Sequence, residues 1–281
     1  MYGAGIDVSL STVLCPAEGR TATYLAVHDS SGDLVCGVAD MDLLLRIQLS
    51  PAAALRLAMA EVVVVDGNVS AAAFTSVCDA ALASPGPLLF FEPTSDHKCL
   101  LPVLTGRLHC VDIVKPNRSE LLCMVESAVA HGLFSPEQAC AVQTALASAR
   151  SGEPGEQLVG LCLLARALHS CLQARPEGRP LRRKHVVVTL GARGLIWATD
   201  CSSGEGGGLF PLGICQYQPA IPIDEVERAD PNLDFNGAGD AFCGGLLSAL
   251  LRRGELDQEC LEAALEAARR HSMRHCQADS M

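Results

Sequence analysis

Short, uniformly apolar runs that alternate with helical stretches limit the fold of this chain more than any other feature. Residues 62–65 and 186–188 consist of valine alone, and residues 88–91 read Leu-Leu-Phe-Phe. Strands buried on both faces are apolar throughout, because helices cover both sides of a parallel sheet. We predict strands at residues 62–66, 88–91, 109–114, 186–189 and 195–198, and helices at residues 51–61, 71–82 and 119–129. This alternation predicts an α/β fold with a mostly parallel sheet between two helical layers, and with ligands at the carboxyl ends of the strands.

The composition is that of a folded globular chain. Of its 281 residues, 49% are hydrophobic and 19% are charged, which is ample material for a buried core. A net charge of −11 argues against a nucleic-acid surface, which needs basic clusters. No apolar run has the length of a membrane span, and Asp7 interrupts the only stretch that could be a signal peptide. We therefore predict neither a nucleic-acid nor a membrane partner.

Fourteen cysteines are scattered along the chain without a Cys-x-x-Cys pair. Several of them stand within apolar segments, among them Cys36, Cys78, Cys162 and Cys243. Buried free thiols in a reducing compartment explain this pattern, whereas zinc binding requires paired ligand spacing. The cysteines therefore predict a cytoplasmic protein.

Some segments do not follow the strand–helix alternation. Residues 23–27 and 34–38 are strand-like and are joined by Asp-Ser-Ser-Gly-Asp, which is typical of a hairpin. Residues 151–156, 174–181 and 201–211 are rich in Gly, Pro or charge, so we predict loops there.

A glycine-rich motif near the carboxyl terminus carries the strongest chemical signal. Residues 234–240 read Asp-Phe-Asn-Gly-Ala-Gly-Asp and run directly into an apolar helical stretch. A tight loop that opens a helix leaves the amides of Gly237, Ala238 and Gly239 unpaired, which makes an anion site. Asp240 then places a carboxylate where a general base for phosphoryl transfer to a hydroxyl must stand. The motif is equally consistent with a tight turn followed by an acid that the helix dipole favours.

Several elements besides this loop resemble the ribokinase (PfkB) family of sugar and nucleoside kinases. Gly-Ala-Gly-Asp is the hallmark of that family, residues 186–194 look like its strand and nucleotide-side turn, and residues 115–120 are similar to its Pro-Asn-x-x-Glu element. Residues 90–95 with Lys98, and residues 39–41, resemble the pseudouridine kinase branch. These elements occur in family order over residues 5–265. The resemblance implies a three-layer α/β/α ribokinase-like fold, in which the hairpin within residues 14–40 is a small β lid over the sugar.

The resemblance also implies a nucleotide site. In the family arrangement, Thr189, Gly191 and Gly194 lie along ATP, and Asn117 and Glu120 order Mg²⁺ and phosphate, with water linking them to the metal. Asp234 implies a monovalent cation such as K⁺. Each motif has a structural alternative as well. Asn117 and Glu120 have the spacing of a helix capping box, and the turn at residues 189–194 is consistent with a simple connection between strands, with Arg193 solvated.

Five further residues are candidates for the substrate site: Thr21, Thr23, Asp66, Asn68 and Lys98. Asp66 and Asn68 follow a predicted strand at the ligand edge of the sheet, although Asp-Gly-Asn is also an ordinary turn. Glu92 and Lys98 follow the next strand, where they either pair with each other or line the site. Thr21 and Thr23 face the substrate from the lid or serve only as strand formers.

The resemblance implies that ATP phosphorylates the 5′-hydroxyl of a nucleoside, in first place pseudouridine, within a single kinase domain that covers residues 1–281. Ribose and other nucleosides are alternative substrates, and a homodimer through the lid is a further expectation. The pattern departs from the family in lacking the first strand and its Gly-Gly-x-x-Asn stretch, in Phe235 where Thr is usual, and in the tail after Arg269, where the family encloses adenine. A truncated or non-catalytic nucleotide-binding relative is therefore the second hypothesis.

Overall fold

The structure is a computed structural model, and it describes residues 20–28, 34–82, 86–173, 182–200, 209–210, 213–222 and 237–273. The chain divides into two compact units, residues 1–47 and residues 48–281. The candidate residues Asp234 and Phe235, and the predicted loop at residues 174–181, lie outside the described residues, as does most of the predicted loop at residues 201–211.

The first unit contains the predicted hairpin strands. Strand β1 (Thr23–His28) pairs antiparallel with β2 (Leu34–Asp40), and helix α1 (Asp42–Leu45) follows. Tyr24 lies opposite Ala39 and Leu25 opposite Val38 in this two-stranded sheet. Both strands extend a residue or two beyond the predicted bounds.

The second unit is built around a six-stranded sheet with the order β3-β4-β5-β6-β7-β8. Its strands are β3 (Val62–Asp66), β4 (Leu88–Glu92), β5 (Ile113–Val114), β6 (His185–Thr189), β7 (Leu195–Asp200) and β8 (Gly213–Gln218). Strands β3 to β6 are parallel, whereas β7 and β8 add to the sheet in antiparallel fashion. The predicted mostly parallel sheet is confirmed.

The helices of this unit are α2 (Pro51–Ala58), α3 (Ala71–Leu82), α4 (Leu101–Leu104), α5 (Arg118–Ala130), α6 (Pro136–Ser151), α7 (Pro154–Leu172), α8 (Ala238–Arg253) and α9 (Gln258–Ser272). Local sequence sets several of their amino-terminal ends. Ser135 and Gln138 form a capping box before α6, with Pro136 as its first residue, where a missing amide costs nothing. None of the described helices is both long and apolar enough to cross a membrane.

Strand side chains alternate between two separate cores. Phe91, Val114 and Val186 point to one face of the sheet, where they pack with residues of α3, α5 and α7. Their neighbours Phe90 and Ile113 point to the opposite face, where Phe242 and Leu246 of α8 and residues of α9 cover them. Because successive strand residues face opposite sides, these two cores give the three-layer α/β/α architecture that the alternation predicts.

Two local predictions were wrong. Residues 109–114 are not one strand, because residues Leu108–Cys110 form a turn of 3₁₀ helix and only Ile113–Val114 pair with the neighbouring strands. Residues 151–156 are not a loop, because Ser151 ends α6 and Pro154 begins α7. Gly152 and Glu153 alone connect these helices, since a proline can stand in a first helical turn.

Candidate functional site

The ends of several strands bring candidate residues to one edge of the sheet. Asp66, Glu92 and Thr189 are the last residues of the parallel strands β3, β4 and β6. Gly194 lies at the same edge, because it precedes the antiparallel strand β7 and Leu195 pairs with Thr189. This carboxyl edge is where open α/β sheets bind ligands.

Helix α8 begins on a glycine that has no side chain to cap it. Gly237 is the N-cap residue with φ of 75°, a left-handed conformation that favours glycine. A Cβ at this position would lie 2.9 Å from Nε2 of His271, so the side chain of His271 in α9 packs closely against the glycine. Ala238, Gly239 and Asp240 form the first turn, in which amides have no intrahelical partner. The side chain of Asp240 is exposed beside these amides.

A lysine that the sequence analysis did not single out lies beneath this turn. Nζ of Lys115, which directly follows β5, lies 3.1 Å from Oε2 of Glu92, and the lysine side chain is only 5% exposed. The same Glu92 oxygen accepts a hydrogen bond from the thiol of Cys243 at 3.3 Å. Glu92 therefore pairs with Lys115, and not with Lys98 as one alternative for these residues held.

These groups are shifted from their ordinary pKa values. Burial outweighs the attraction of Lys115 and raises the pKa of Glu92, to which the charge of Asp240 contributes. For Lys115 the effect of burial is more than offset by Glu92, so its pKa is raised. Burial, together with the nearby carboxylates, raises the pKa of Cys243 to about 12. Cys243 is thus a protonated hydrogen-bond donor and not a nucleophile.

Asn117 and Glu120 form a complete capping box at the start of α5. Oδ1 of Asn117 accepts from the amide of Glu120 at 2.9 Å, and Oε2 of Glu120 accepts from the amide of Asn117 at 2.8 Å. The hydroxyl of Ser119 links this box to Oδ1 of Asp96 at 2.7 Å. Glu120 is 3% exposed, and burial raises its pKa. The structure therefore shows the helix-capping role that the spacing of Asn117 and Glu120 indicates.

The predicted nucleotide-side turn is adjacent to this box. The amide of Thr189 donates to the carbonyl of Pro116 at 3.0 Å, so β6 and the start of α5 meet. Gly191 and Gly194 have φ values of 59° and 102°, and Arg193 between them is exposed. A Cβ on Gly191 would meet no atom within 4 Å, whereas one on Gly194 would overlap the backbone that follows β8.

Asp66, Asn68 and Lys98 form a polar cluster at the end of β3. Oδ2 of Asp66 accepts from the side-chain amide of Asn68 at 2.6 Å, and Oδ1 of Asn68 accepts from Nζ of Lys98 at 2.5 Å. The intervening Gly67 leaves no room for a side chain, since a Cβ would lie 2.5 Å from the carbonyl oxygen of Pro93. The structure thus brings together three of the five predicted substrate residues.

Thr21 and Thr23 belong to the first unit, in which both are exposed.

Helices α8 and α9 line a half-open cavity of about 490 Å³ beside the first turn of α8. Its floor is apolar and made of small residues, including Ala241, Gly244 and Gly245. Glu266, Arg270 and His271 of α9 supply polar groups at its wall. Among the described residues, no group of three or more His, Cys, Asp or Glu side chains converges as a metal site would require.

Residues 155–271 match the sequence model of the pfkB family carbohydrate kinases. The chain is similar to a pseudouridine kinase of Arabidopsis thaliana, with 24% identity over 260 residues, which cover 86% of this chain and 66% of that one. The chain thus spans just under two thirds of that relative.

Solved structures share the fold. A ribokinase from Cryptococcus neoformans in complex with ADP has a TM-score of 0.59 and 18% identity, over 90% of this chain and 66% of that one. An adenosine kinase from Anopheles gambiae in complex with P1,P4-di(adenosine-5) tetraphosphate has a TM-score of 0.56 and 18% identity, over 80% of this chain and 54% of that one. The second unit therefore has the ribokinase-like fold. The family match over residues 155–271 and the distant relative agree with this fold in their likeness to the pfkB family carbohydrate kinases.

Proposed function

We propose that this protein is an ATP-dependent kinase that phosphorylates the 5′-hydroxyl of a nucleoside, in first place pseudouridine. One observation supports this most strongly: an exposed Asp240 stands in the first turn of a helix that begins on Gly237, at the carboxyl edge of the sheet. Asp240 accepts the proton of the attacking hydroxyl. The amides of Gly237, Ala238 and Gly239 stabilise charge on the transferred phosphoryl group.

The acceptor binds at the polar cluster of Asp66, Asn68 and Lys98. The cluster offers a carboxylate for ribose hydroxyls, and an amide and an ammonium for the carbonyl groups of a base. The choice of pseudouridine is supported by the 24% identical pseudouridine kinase and by the segment that ends in Lys98. Thr21 and Thr23 are proposed to contact the acceptor from the hairpin.

The adenine of ATP occupies the cavity between α8 and α9, and its phosphates run toward the first turn of α8. Small apolar residues on one wall and Glu266, Arg270 and His271 on the other suit a planar base with polar edges. Thr189, Gly191 and Gly194 flank the phosphates, since Gly191 keeps open space for close backbone approach.

Mg²⁺ would be held by Glu120 and Asn117 through water, together with the phosphates of ATP. The capping box uses Oε2 of Glu120, and the nearby charge of Asp96 adds to burial in raising the pKa of Glu120. Carboxylates in this arrangement fit a hydrated divalent cation, which relieves their repulsion, with Asn117 as a further oxygen donor. The metal supplies charge neutralisation between the phosphates. Asp234 stays a proposal for a monovalent cation.

Two further proposals concern the setting of the protein. The hairpin exposes Leu25, Val35 and Val38 by 64%, 65% and 64%, apolar surface that suits a lid or a contact with a second copy of the chain. Sedimentation velocity measures whether dimers form.

Buried thiols such as Cys78 and Cys99 suit the reducing cytoplasm, which is the proposed location of the protein.

A panel assay tests the function. The chain is incubated with ATP and Mg²⁺ and with pseudouridine, adenosine, cytidine, ribose or fructose 6-phosphate, and ADP formation is followed. ADP that depends on pseudouridine supports the proposal, and turnover of another acceptor moves the assignment to that substrate. Nucleotide binding by a folded chain without turnover on any acceptor contradicts the kinase proposal and favours a non-catalytic nucleotide-binding protein.

Filling the cavity is expected to separate nucleotide binding from folding. Gly244 lines the cavity and a Cβ there meets no atom within 4 Å, so Gly244→Leu places its side chain in the open space. We expect the Kd for ATP to rise about tenfold or more, a loss of at least ~1.4 kcal/mol. The melting temperature does not fall, because leucine is the better helix former. Isothermal titration calorimetry and thermal unfolding measure both quantities.

Ser248→Leu is the matched control for this prediction. Ser248 is exposed one turn further along α8 and is not among the lining residues of the cavity. An unchanged ATP affinity in Gly244→Leu, or an equal loss in Ser248→Leu, would contradict the placement of adenine.

A further inference from the structure

One carboxylate oxygen joins three elements beneath the proposed catalytic turn. Oε2 of Glu92, at the end of β4, lies 3.1 Å from Nζ of Lys115 after β5 and 3.3 Å from Sγ of Cys243 in α8. Cys243 stands three residues after Asp240, so both face the same side of the helix. Glu92 is therefore attached to the face of α8 that carries the proposed base.

Separating Lys115 from Glu92 would cost free energy. Lys115 is 4% exposed as a residue, and a buried ammonium needs a charged or hydrogen-bonding partner. Its Glu92 partner holds it against the sheet, and Lys115 in turn holds the Glu92 carboxylate toward α8. The charged and titratable groups that face the pair are Asp240, Cys243 and Glu120.

Apolar packing alone does not fix the first turn of α8 in the same way. Phe242 and Leu246 are buried and hold the body of the helix on the sheet. Ahead of Phe242 stand only small residues and Asp240, and a Cβ on Gly239 would meet no atom within 4 Å. The contact of Cys243 with Glu92 is thus a polar attachment within one helical turn of Asp240.

We propose that Glu92 and Lys115 are positioning residues, which fix the first turn of α8, and with it Asp240, over the carboxyl ends of β4 and β5. This inference rests on the proposed kinase function for its catalytic consequence. The pair holds the base and the amides at the distance that in-line transfer requires, and displacement by about 1 Å costs up to ~10²-fold in rate.

A second buried Lys–Asp ion pair lies at the amino ends of strands β5 and β6, and it serves as a control for the pair of Glu92 and Lys115. Nζ of Lys184 lies 2.9 Å from Oδ1 of Asp112, and their side chains are 3% and 1% exposed. Asp112 directly precedes the two-residue strand β5, whereas Lys115 directly follows it. Asp112→Asn therefore disturbs a buried pair at the amino end of β5, whereas Lys115 lies at the carboxyl end of the same strand.

The test compares Glu92→Gln with Asp112→Asn in two measurements. We expect Glu92→Gln to lower kcat roughly 10–100-fold and to change the KM for ATP much less. Asp112→Asn lowers the melting temperature but keeps kcat. In hydrogen–deuterium exchange, Glu92→Gln speeds the exchange of peptides that cover the start of α8, and Asp112→Asn does not.

Cys243→Ala is the second variant, because it cuts the attachment to α8 and leaves the ion pair intact. We expect it to fold, to speed exchange at the start of α8 and to lower kcat to a smaller extent. Normal kcat and normal exchange in Glu92→Gln would overturn the positioning role even where the unmodified chain is an active kinase. Should the unmodified chain be inactive, the kinase proposal fails, and the exchange measurement alone decides whether the pair positions the turn.

Discussion

Replacing Asp240 with asparagine is expected to lower kcat by roughly 10²–10⁴-fold, the range typical of a lost general base. Asparagine keeps the size of the side chain and a hydrogen-bonding oxygen, but it cannot take the proton of the attacking hydroxyl. Asp240 is exposed in the first turn of α8, so the substitution leaves no buried group without a partner. The affinity for ATP changes little, because cavity and amides stay in place. An ADP-release assay and calorimetry measure kcat and affinity.

Glu259→Gln is the control for this prediction. Glu259 is also an acid in a first helical turn, in α9, and its side chain is 68% exposed. If Asp240 served only the helix dipole, both substitutions would lower stability by about 0.3–1 kcal/mol and leave kcat alone. A normal kcat in Asp240→Asn would therefore remove the central residue of the proposed mechanism.

The apolar runs of the main sheet and the two strands of the hairpin were predictable, whereas strand β8 was not. The runs at residues 88–91 and 186–188 became β4 and β6, which are buried on both faces, whereas the run at residues 62–65 became the edge strand β3, in which Val64 is 51% exposed. Strand β8 lies at the other sheet edge, and its sequence Gly-Ile-Cys-Gln-Tyr-Gln has neither an apolar run nor a regular alternation of exposed and buried residues. Helix α6 had a visible signal in Pro136 and the capping pair of Ser135 and Gln138.

In the candidate site, the residues of local sequence motifs were predictable, whereas contacts between residues far apart in the sequence were not. Local motifs identified Gly237, Asp240 and Asn117, because a helix that begins on glycine and a capping box are both recognisable within about four residues of sequence. Lys115 stood within a quoted motif, yet its role depends on Glu92, which is 23 positions earlier and on another strand. Periodicity cannot show which strand ends become neighbours, so the partner of a buried lysine has to come from the sheet order.

Gly194→Ala is expected to destabilise the protein by roughly 3–5 kcal/mol, a value that combines backbone strain and overpacking. Gly194 has φ of 102° and ψ of −136°, which side chains other than glycine essentially do not adopt. Its Cβ would also overlap the carbonyl oxygen of Gln218 and lie 2.6 Å from the carbonyl carbon of Pro219. These atoms belong to the backbone, so no side-chain rotation relieves the overlap. Urea unfolding measures the loss.

Gly191→Ala is expected to destabilise the protein less than Gly194→Ala, although the sequence places both glycines in one predicted nucleotide-side turn. Gly191 has φ of 59°, and its Cβ would meet no atom within 4 Å, so we expect a loss of about 1–2 kcal/mol from the left-handed conformation alone. Equal losses for the two variants would contradict this division. The difference in stability implies different roles: Gly194 lets the strand that follows it pass close to the end of β8, whereas the open space at Gly191 stays available to a ligand. A loss of ATP affinity in Gly191→Ala, beyond its small effect on stability, would follow from that space being occupied by phosphate.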